Sequence, residues 1–136
     1  MNIDSIPLFG LLKGKLGYLN QRQRLIAQNV ANADTPGYVG RDLKTFSFEA
    51  AMKAGQGPSG VAPVRTNAAH LPGTQQPAAT WTSQAAPDSE TTLDGNSVVL
   101  EEQMLKMAEA RANYDAAVGF YQKSLGLIRM AARRPG

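Results

Sequence analysis

The sequence predicts a mainly α-helical protein in which an N-terminal and a C-terminal helix pair as an antiparallel coiled-coil hairpin. Near both ends of the chain, apolar residues recur at alternating steps of three and four, which keeps one stripe of each helix facing a partner. Between these ends, prolines and glycines interrupt the chain too often for a helix to continue. The 136 residues therefore divide into a helix and turn at 1–38, an irregular, loop-like middle at 39–96 and a second helix at 97–136.

The first helix is expected over residues 8–33. Its apolar seam is interrupted by Gln23 and consists of Phe9, Leu12, Leu16, Leu19, Ile26 and Val30. Pro36 ends the helix, because the residue before a proline disfavours the helical conformation. Thr35 to Tyr38 then reads Thr-Pro-Gly-Tyr, which predicts a type II turn with Gly37 supplying a positive φ.

The last helix is expected over residues 98–132. Its seam, interrupted by Arg111, consists of Leu100, Met104, Met107, Tyr114, Val118, Tyr121, Leu125 and Ile128. Ser97 is a candidate N-cap, and Glu101 and Glu102 follow it where the helix dipole favours anions. The two seams predict contacts such as Leu19 or Ile26 against Tyr114, Val118 or Tyr121.

The middle of the chain is interpreted as an extended loop over residues 55–94, because prolines recur along it and no strand alternation is visible. A short helix near 48–54, capped by Ser47, is expected before it. Trp81 is interpreted as a loosely packed loop aromatic, with an interface anchor as the open alternative.

The residue content indicates a structural protein and not an enzyme. The chain has no cysteine and a single histidine, His70, so a zinc site or a catalytic triad lacks its partners. It contains no phosphate-binding loop and no nucleophile elbow. We therefore expect no cofactor, metal or small-molecule ligand. The net charge of +3 is spread over both ends, which argues against nucleic-acid binding.

The beginning of the sequence does not fit a cleavable secretory signal. Asp4 stands where such a signal needs positive charge, and Pro7 and Gly10 break the apolar stretch. No segment approaches the roughly 20 apolar residues of a membrane span.

The turn and its approach, Asn-Val-Ala-Asn-Ala-Asp-Thr-Pro-Gly-Tyr over residues 29–38, closely resemble the N-terminal signature of the flagellar rod and hook proteins. Residues 41–42, 66–71 and 94–104 also resemble the proximal rod subunits of that family, whose larger members insert a domain that this chain is too short to hold. The matching signature residues are Asn29, Asn32, Asp34, Thr35, Pro36, Gly37, Tyr38, Arg41 and Asp42.

The resemblance implies a structural subunit of the flagellar basal-body rod, which transmits torque and links the membrane ring and export gate to the rest of the rod. Such subunits are exported by the type III apparatus without signal cleavage and assemble into a hollow helical tube in the periplasm. The implied partners are other copies of the chain, rod subunits of the FlgC and FlgF type, a FliE-type adaptor, the MS ring and the export gate.

Two alternatives remain open from the residues alone. A soluble export adaptor or chaperone would share the heptads, although nothing in that role explains the Thr-Pro-Gly-Tyr turn. The polar residues Asn29, Asn32 and Asp34 form either a binding site or a brace that holds the turn through side-chain to backbone hydrogen bonds.

Overall fold

The computed structural model describes residues 7–55 and 81–132. Its elements, in chain order, are α1 (Pro7–Ala31), β1 (Arg41–Leu43), α2 (Phe48–Gly55), β2 (Ser83–Ala85) and α3 (Leu100–Ala132). The mainly helical fold class, with a long helix near each end, is confirmed. His70 and the matching segment at 66–71 lie outside the described residues. No helix within the described ranges combines the length and the apolar character needed to span a bilayer.

The two long helices pack against each other in opposite directions. The ring of Phe9, near the start of α1, meets that of Tyr121 edge-on at 5.2 Å, towards the end of α3. At the other end, the Asn29 amide bonds to the Gln103 amide at 3.0 Å. Residue numbers thus rise along one helix as they fall along its neighbour, as an antiparallel hairpin requires.

The seam predicted for α1 faces the interior of the chain over most of its length. Phe9, Leu12, Leu19 and Ile26 are buried, and Leu16 is half-buried. Val30 is exposed although Asn29 beside it is buried, because the last turn of α1 meets α3 through the Asn29 side chain.

The seam predicted for α3 needs a correction at its first two positions. Leu100 and Met104 are exposed, whereas Gln103 and Ala110 are buried. The hydrogen bond from Asn29 holds Gln103 inward, so the rotation of α3 about its axis turns Leu100 and Met104 away from α1. The remaining predicted members are half-buried: Met107, Tyr114, Val118, Tyr121, Leu125 and Ile128.

The expectation of an irregular loop is wrong at residues 83–85, because β2 pairs there with β1 as an antiparallel ribbon. Asp42 lies opposite Gln84, and Leu43 lies opposite Ser83. Strands of three residues are too short to display an alternating pattern in the sequence. The short helix expected near 48–54 is observed as α2, and the Ser47 hydroxyl caps it by accepting the Ala50 N–H at 3.2 Å.

An aromatic cluster gives the hairpin a core beyond its own two helices. Its buried members are Tyr18, Leu19, Leu25 and Leu43, against which Phe46, Trp81 and Tyr114 pack. The indole ring of Trp81 meets the Tyr18 ring at 6.4 Å in an edge-on arrangement. The interpretation of Trp81 as a loosely packed loop residue is therefore wrong, since the indole joins the middle segment to α1.

A glycine on α1 makes room for this indole. A Cβ atom placed on Gly17 would lie 2.5 Å from Cη2 of Trp81, which is too close for the ring to stay where it is. A Cβ atom placed on Gly10, earlier in the same helix, would have nothing within 4 Å. The contact at Gly17 thus sets how closely the middle segment approaches α1.

We expect Gly17→Ala to displace Trp81 and expose its ring to water. Trp81 is the single tryptophan of the chain, so its fluorescence emission should shift to longer wavelength and acrylamide should quench it more strongly. Gly10→Ala is the matched control, since alanine there gains about 1 kcal/mol of helix propensity and meets no neighbour. Identical emission from Gly17→Ala and the parent protein would contradict the close packing.

Candidate assembly site around the Thr-Pro-Gly-Tyr turn

The signature segment folds into the turn that its residues predict. The Tyr38 N–H donates to the Thr35 carbonyl at 3.2 Å, and Gly37 has φ +70°. That combination matches a type II turn, in which a side chain at the glycine position would be strained. Asn32 braces the approach, because its side-chain amide donates to the Gln28 carbonyl at 2.8 Å and its oxygen accepts the Thr35 hydroxyl.

A second turn, Asp94-Gly95-Asn96, docks directly onto the first. The Gly37 N–H donates to the Asp94 carbonyl at 2.9 Å, and the Asn96 side-chain amide donates to the carbonyls of Asn32 and Thr35 at 2.9 and 2.7 Å. Gly95 has φ +85°, and a Cβ there would come within 3.4 Å of the Gly37 Cα. The exit from α1 and the entry to α3 are therefore held together as one unit.

The buried side chain of Asn29 links three parts of the fold. Its Nδ2 donates to the Arg41 carbonyl at 2.7 Å and to Oε1 of Gln103 at 3.0 Å. Its Oδ1 accepts the Tyr38 hydroxyl and the Arg41 N–H, both at 3.1 Å. All the hydrogen-bonding capacity of the amide is thus used inside the protein.

Gln103 carries this network into the start of α3. Its Nε2 donates to Oδ2 of Asp88 at 2.8 Å, and the same oxygen accepts the Val99 N–H at 2.8 Å. The other oxygen, Oδ1, accepts from Nζ of Lys106 at 2.6 Å, while the Asp88 side chain is fully buried. We call Asn29, Asp88, Asn96 and Gln103 the polar clamp.

An ion pair fixes the strand that follows the turn. Arg22 donates through Nε and Nη2 to the two carboxylate oxygens of Asp42, each at 3.0 Å, and both side chains are largely buried. Such a two-point contact fixes orientation as well as distance. The hydrogen bond to Asp42 raises the pKa of Arg22 above its ordinary value. This pair connects α1 to β1 beside the polar clamp.

The predicted signature residues divide into internal and surface positions. Asn29, Tyr38 and Asp42 point into the fold, and Arg41 contributes its backbone to Asn29 and its guanidinium to the Ser83 hydroxyl at 2.9 Å. Asp34 and Pro36 lie exposed on the turn. The bracing interpretation is thus confirmed for Asn29 and Asn32, whereas Asp34 presents its side chain to the surface.

Sequence reasoning missed the partners that complete the site, namely Arg22, Asp88, Asn96, Gln103 and Lys106. No local signal marks Gln103, because its partner Asn29 lies 74 residues away along the chain. The prediction of Ser97 as an N-cap is wrong. Its hydroxyl accepts the Gly40 N–H at 3.2 Å, and Asp88 receives the Val99 N–H because α3 begins only at Leu100.

A comparison with models of protein families found no match. Individual relatives are informative. The protein is 31% identical to the flagellar basal body rod protein FlgB of Agrobacterium fabrum over 135 residues, which are 98% of each chain. It is 33% identical over 100 residues, 72% of each chain, to FlgB of Escherichia coli, and 27% identical over 130 residues to FlgB of Aeromonas hydrophila. The chain belongs to the FlgB family. The resemblance to proximal rod subunits is confirmed, as is the prediction of a non-enzymatic, structural protein.

In this FlgB-family chain, the polar clamp contains a buried charge that is paired on all sides. Burial alone would raise the pKa of Asp88, but hydrogen bonds from Lys106, Gln103 and the Val99 N–H outweigh burial and hold the pKa below its ordinary value. Among the described residues, no group of three or more histidine or carboxylate side chains is placed to hold a metal ion.

We expect Asn29→Ala to destabilise the protein by about 3 kcal/mol. The substitution removes a hydrogen-bond partner from buried polar groups, and each group left without one costs about 1–3 kcal/mol. Thermal unfolding followed by circular dichroism measures the change. Asn32→Ala is the control, because its side chain is only half-buried, and we expect it to cost less than about 1 kcal/mol. Equal melting temperatures for Asn29→Ala and Asn32→Ala would show that the buried amide does not hold the fold.

We expect part of the stability to depend on the charge of Asp88. Because its folded-state pKa is lowered, the contribution is present above the unfolded pKa of 3.8 and is lost as the pH falls through the folded value. Denaturant unfolding between pH 3 and 7 should therefore show that the free energy of unfolding of Asp88→Asn is closest to that of the parent protein at the lowest pH. Asp115→Asn, which removes an exposed carboxylate from the same helix, should follow the parent at every pH. If the free energies of unfolding of Asp88→Asn and the parent differed by the same amount at every pH, the charge of Asp88 would not be what stabilises the fold.

Proposed function

We propose that the protein is a structural subunit of the flagellar basal-body rod. The observation that carries this proposal is the likeness to FlgB proteins along nearly the whole chain, at 31% identity over 135 residues. The polar clamp supports a mechanical role, because it joins the end of α1 to the start of α3 through buried hydrogen bonds. A subunit that transmits torque needs such a fixed connection between its helices.

Assembly with other rod subunits follows from the role of a rod component. We place the chain in the proximal rod, between FlgC- and FlgF-type subunits on one side and a FliE-type adaptor, the MS ring and the export gate on the other. Other copies of the chain complete the hollow helical tube. The exposed apolar side chains of α3 support this placement, since they need other proteins to cover them.

Three residues of the predicted seams are exposed in the single chain, namely Val30, Leu100 and Met104. Val30 lies in the last turn of α1 and Leu100 begins α3, so the three lie at the same end of the hairpin. We assign them to contacts with neighbouring subunits. The half-buried seam residues Leu125 and Ile128, at the opposite end, have the same role.

Export by the type III apparatus without signal cleavage, followed by assembly in the periplasm, is the route that fits this role. An export chaperone with a helical hairpin was the alternative, and the named relatives, which are rod proteins, do not support it.

Removal of residues 125–136 tests the assembly role of the C-terminal seam. We expect the truncated protein to be secreted but absent from isolated basal bodies, with complete loss of swimming, because Leu125 and Ile128 no longer complete the seam. The measurements are secreted protein, basal-body composition and motility in a strain that lacks the parent gene. Removal of residues 133–136 is the control, since it leaves α3 whole. Normal swimming by the longer truncation would refute the role.

A further inference from the structure

The helix α3 carries a second apolar stripe on the side that faces away from α1. Its members follow steps of three, four and seven, which places them on one face of the helix. The large ones are strongly exposed: Leu105 at 72%, Phe120 at 52%, Leu127 at 54% and Met130 at 63%. Ala112 and Ala116 lie between them and are also exposed. We call Leu105, Ala112, Ala116, Phe120, Leu127 and Met130 the outer stripe.

A helix that is apolar on opposite faces is ordinarily buried on both. The inner face of α3 meets α1 through Gln103, Ala110 and Tyr121. Nothing among the described residues covers the outer stripe. The inner contacts cannot turn to cover it, because the polar clamp fixes the rotation of the helix. The outer stripe is therefore left without a partner in the part of the chain that the structure describes, 7–55 and 81–132.

Charge indicates what that partner is. The segment of α3 that begins the outer stripe is acidic, and Glu101 and Glu109 are exposed beside Leu105. The helix α1 contains basic residues and no acidic one. Its exposed surface includes Arg24 together with Ala27 and Ala31, which follow at steps of three and four and share one face. Arg24 and the small side chains beside it therefore complement the acidic start of the outer stripe around Leu105, whereas the exposed Lys123 lies on its other half.

We infer that the outer stripe of α3 packs against the exposed Arg24–Ala31 face of α1 in a second copy of this chain. This inference rests on the proposed rod function and specifies one of its contacts. The two surfaces differ, so the contact is heterologous: α3 of one copy meets α1 of the next. Repetition of such a contact extends an open polymer, whereas a contact between two identical faces would close a dimer.

The absence of cysteine from the chain makes disulfide cross-linking a direct test. Ala27→Cys is combined in turn with Ala112→Cys, Ala116→Cys and Lys123→Cys, so that no particular register is assumed. Within one chain Asn29 lies beside Gln103, so Ala27 is separated from these positions along the hairpin axis by about 10 Å or more. That exceeds the Cα separation of about 7 Å that a disulfide tolerates. Basal bodies that carry each variant are isolated under reducing conditions and then treated with copper phenanthroline as the oxidant.

We expect at least one double variant to give a ladder of cross-linked copies, while each single variant remains monomeric. Two single variants expressed together should give one mixed dimer band. Cross-linking of Ala112→Cys or Ala116→Cys alone would overturn the inference, because it requires identical faces to meet. Basal bodies that contain the double variants without any cross-link would overturn it as well. Basal bodies that contain neither the variants nor the parent protein would instead refute the proposed rod function.

A pair of charge substitutions on one helical turn provides a second measurement. Phe120→Glu places a carboxylate in the outer stripe, and we expect at least a tenfold loss of the protein from basal bodies. Gln122→Glu adds the same charge on another exposed face of α3 and should leave incorporation unchanged. Because Phe120 is exposed in the single chain, both purified variants should retain the helix content of the parent. Normal incorporation of Phe120→Glu would contradict the docking of the outer stripe.

Discussion

The buried side-chain amide of Asn29 is the interaction on which the rest of this fold depends. An amide without water must find partners for both its donors and both its acceptor sites, and each one left open costs about 1–3 kcal/mol. Here those partners come from the turn, from the start of β1 and from Gln103 on α3. Because these partners all meet the Asn29 amide, this one side chain sets three features together: the axial register of the two helices, the rotation of α3 and the path of the chain after α1.

The rotation of α3 has a consequence for the outside of the molecule. With Gln103 and Ala110 turned inward, Leu100 and Met104 turn outward, and the apolar residues on the far side of α3 have no cover within the described chain. A more regular coiled coil would have buried Leu100 and Met104 and pointed Gln103 towards water. The hydrogen bonds of the polar clamp are thus retained although they leave apolar surface of α3 exposed.

The middle of the chain contributes more to the fold than its composition indicates. The ribbon of β1 and β2 brings Leu43 and Trp81 to the face of α1 that α3 leaves open, and Gly17 lets the indole approach the helix closely. The ion pair of Arg22 with Asp42 anchors the same ribbon to the same helix. This third layer gives two long helices an interior that a hairpin alone does not provide.

The sequence by itself determined the two long helices, the short helix after Ser47, the type II turn and membership in the rod family, because each depends on neighbouring residues or on an ordered motif. Only the tertiary structure decided that Gln103 would replace Met104 in the seam, that Asp88 would cap α3 and that Trp81 would pack on Tyr18. Gln103 meets a partner 74 residues away, and no local pattern encodes that distance. Helical periodicity predicts that a stripe exists, but the polar partners that a fold brings together decide which residues of the helix form it.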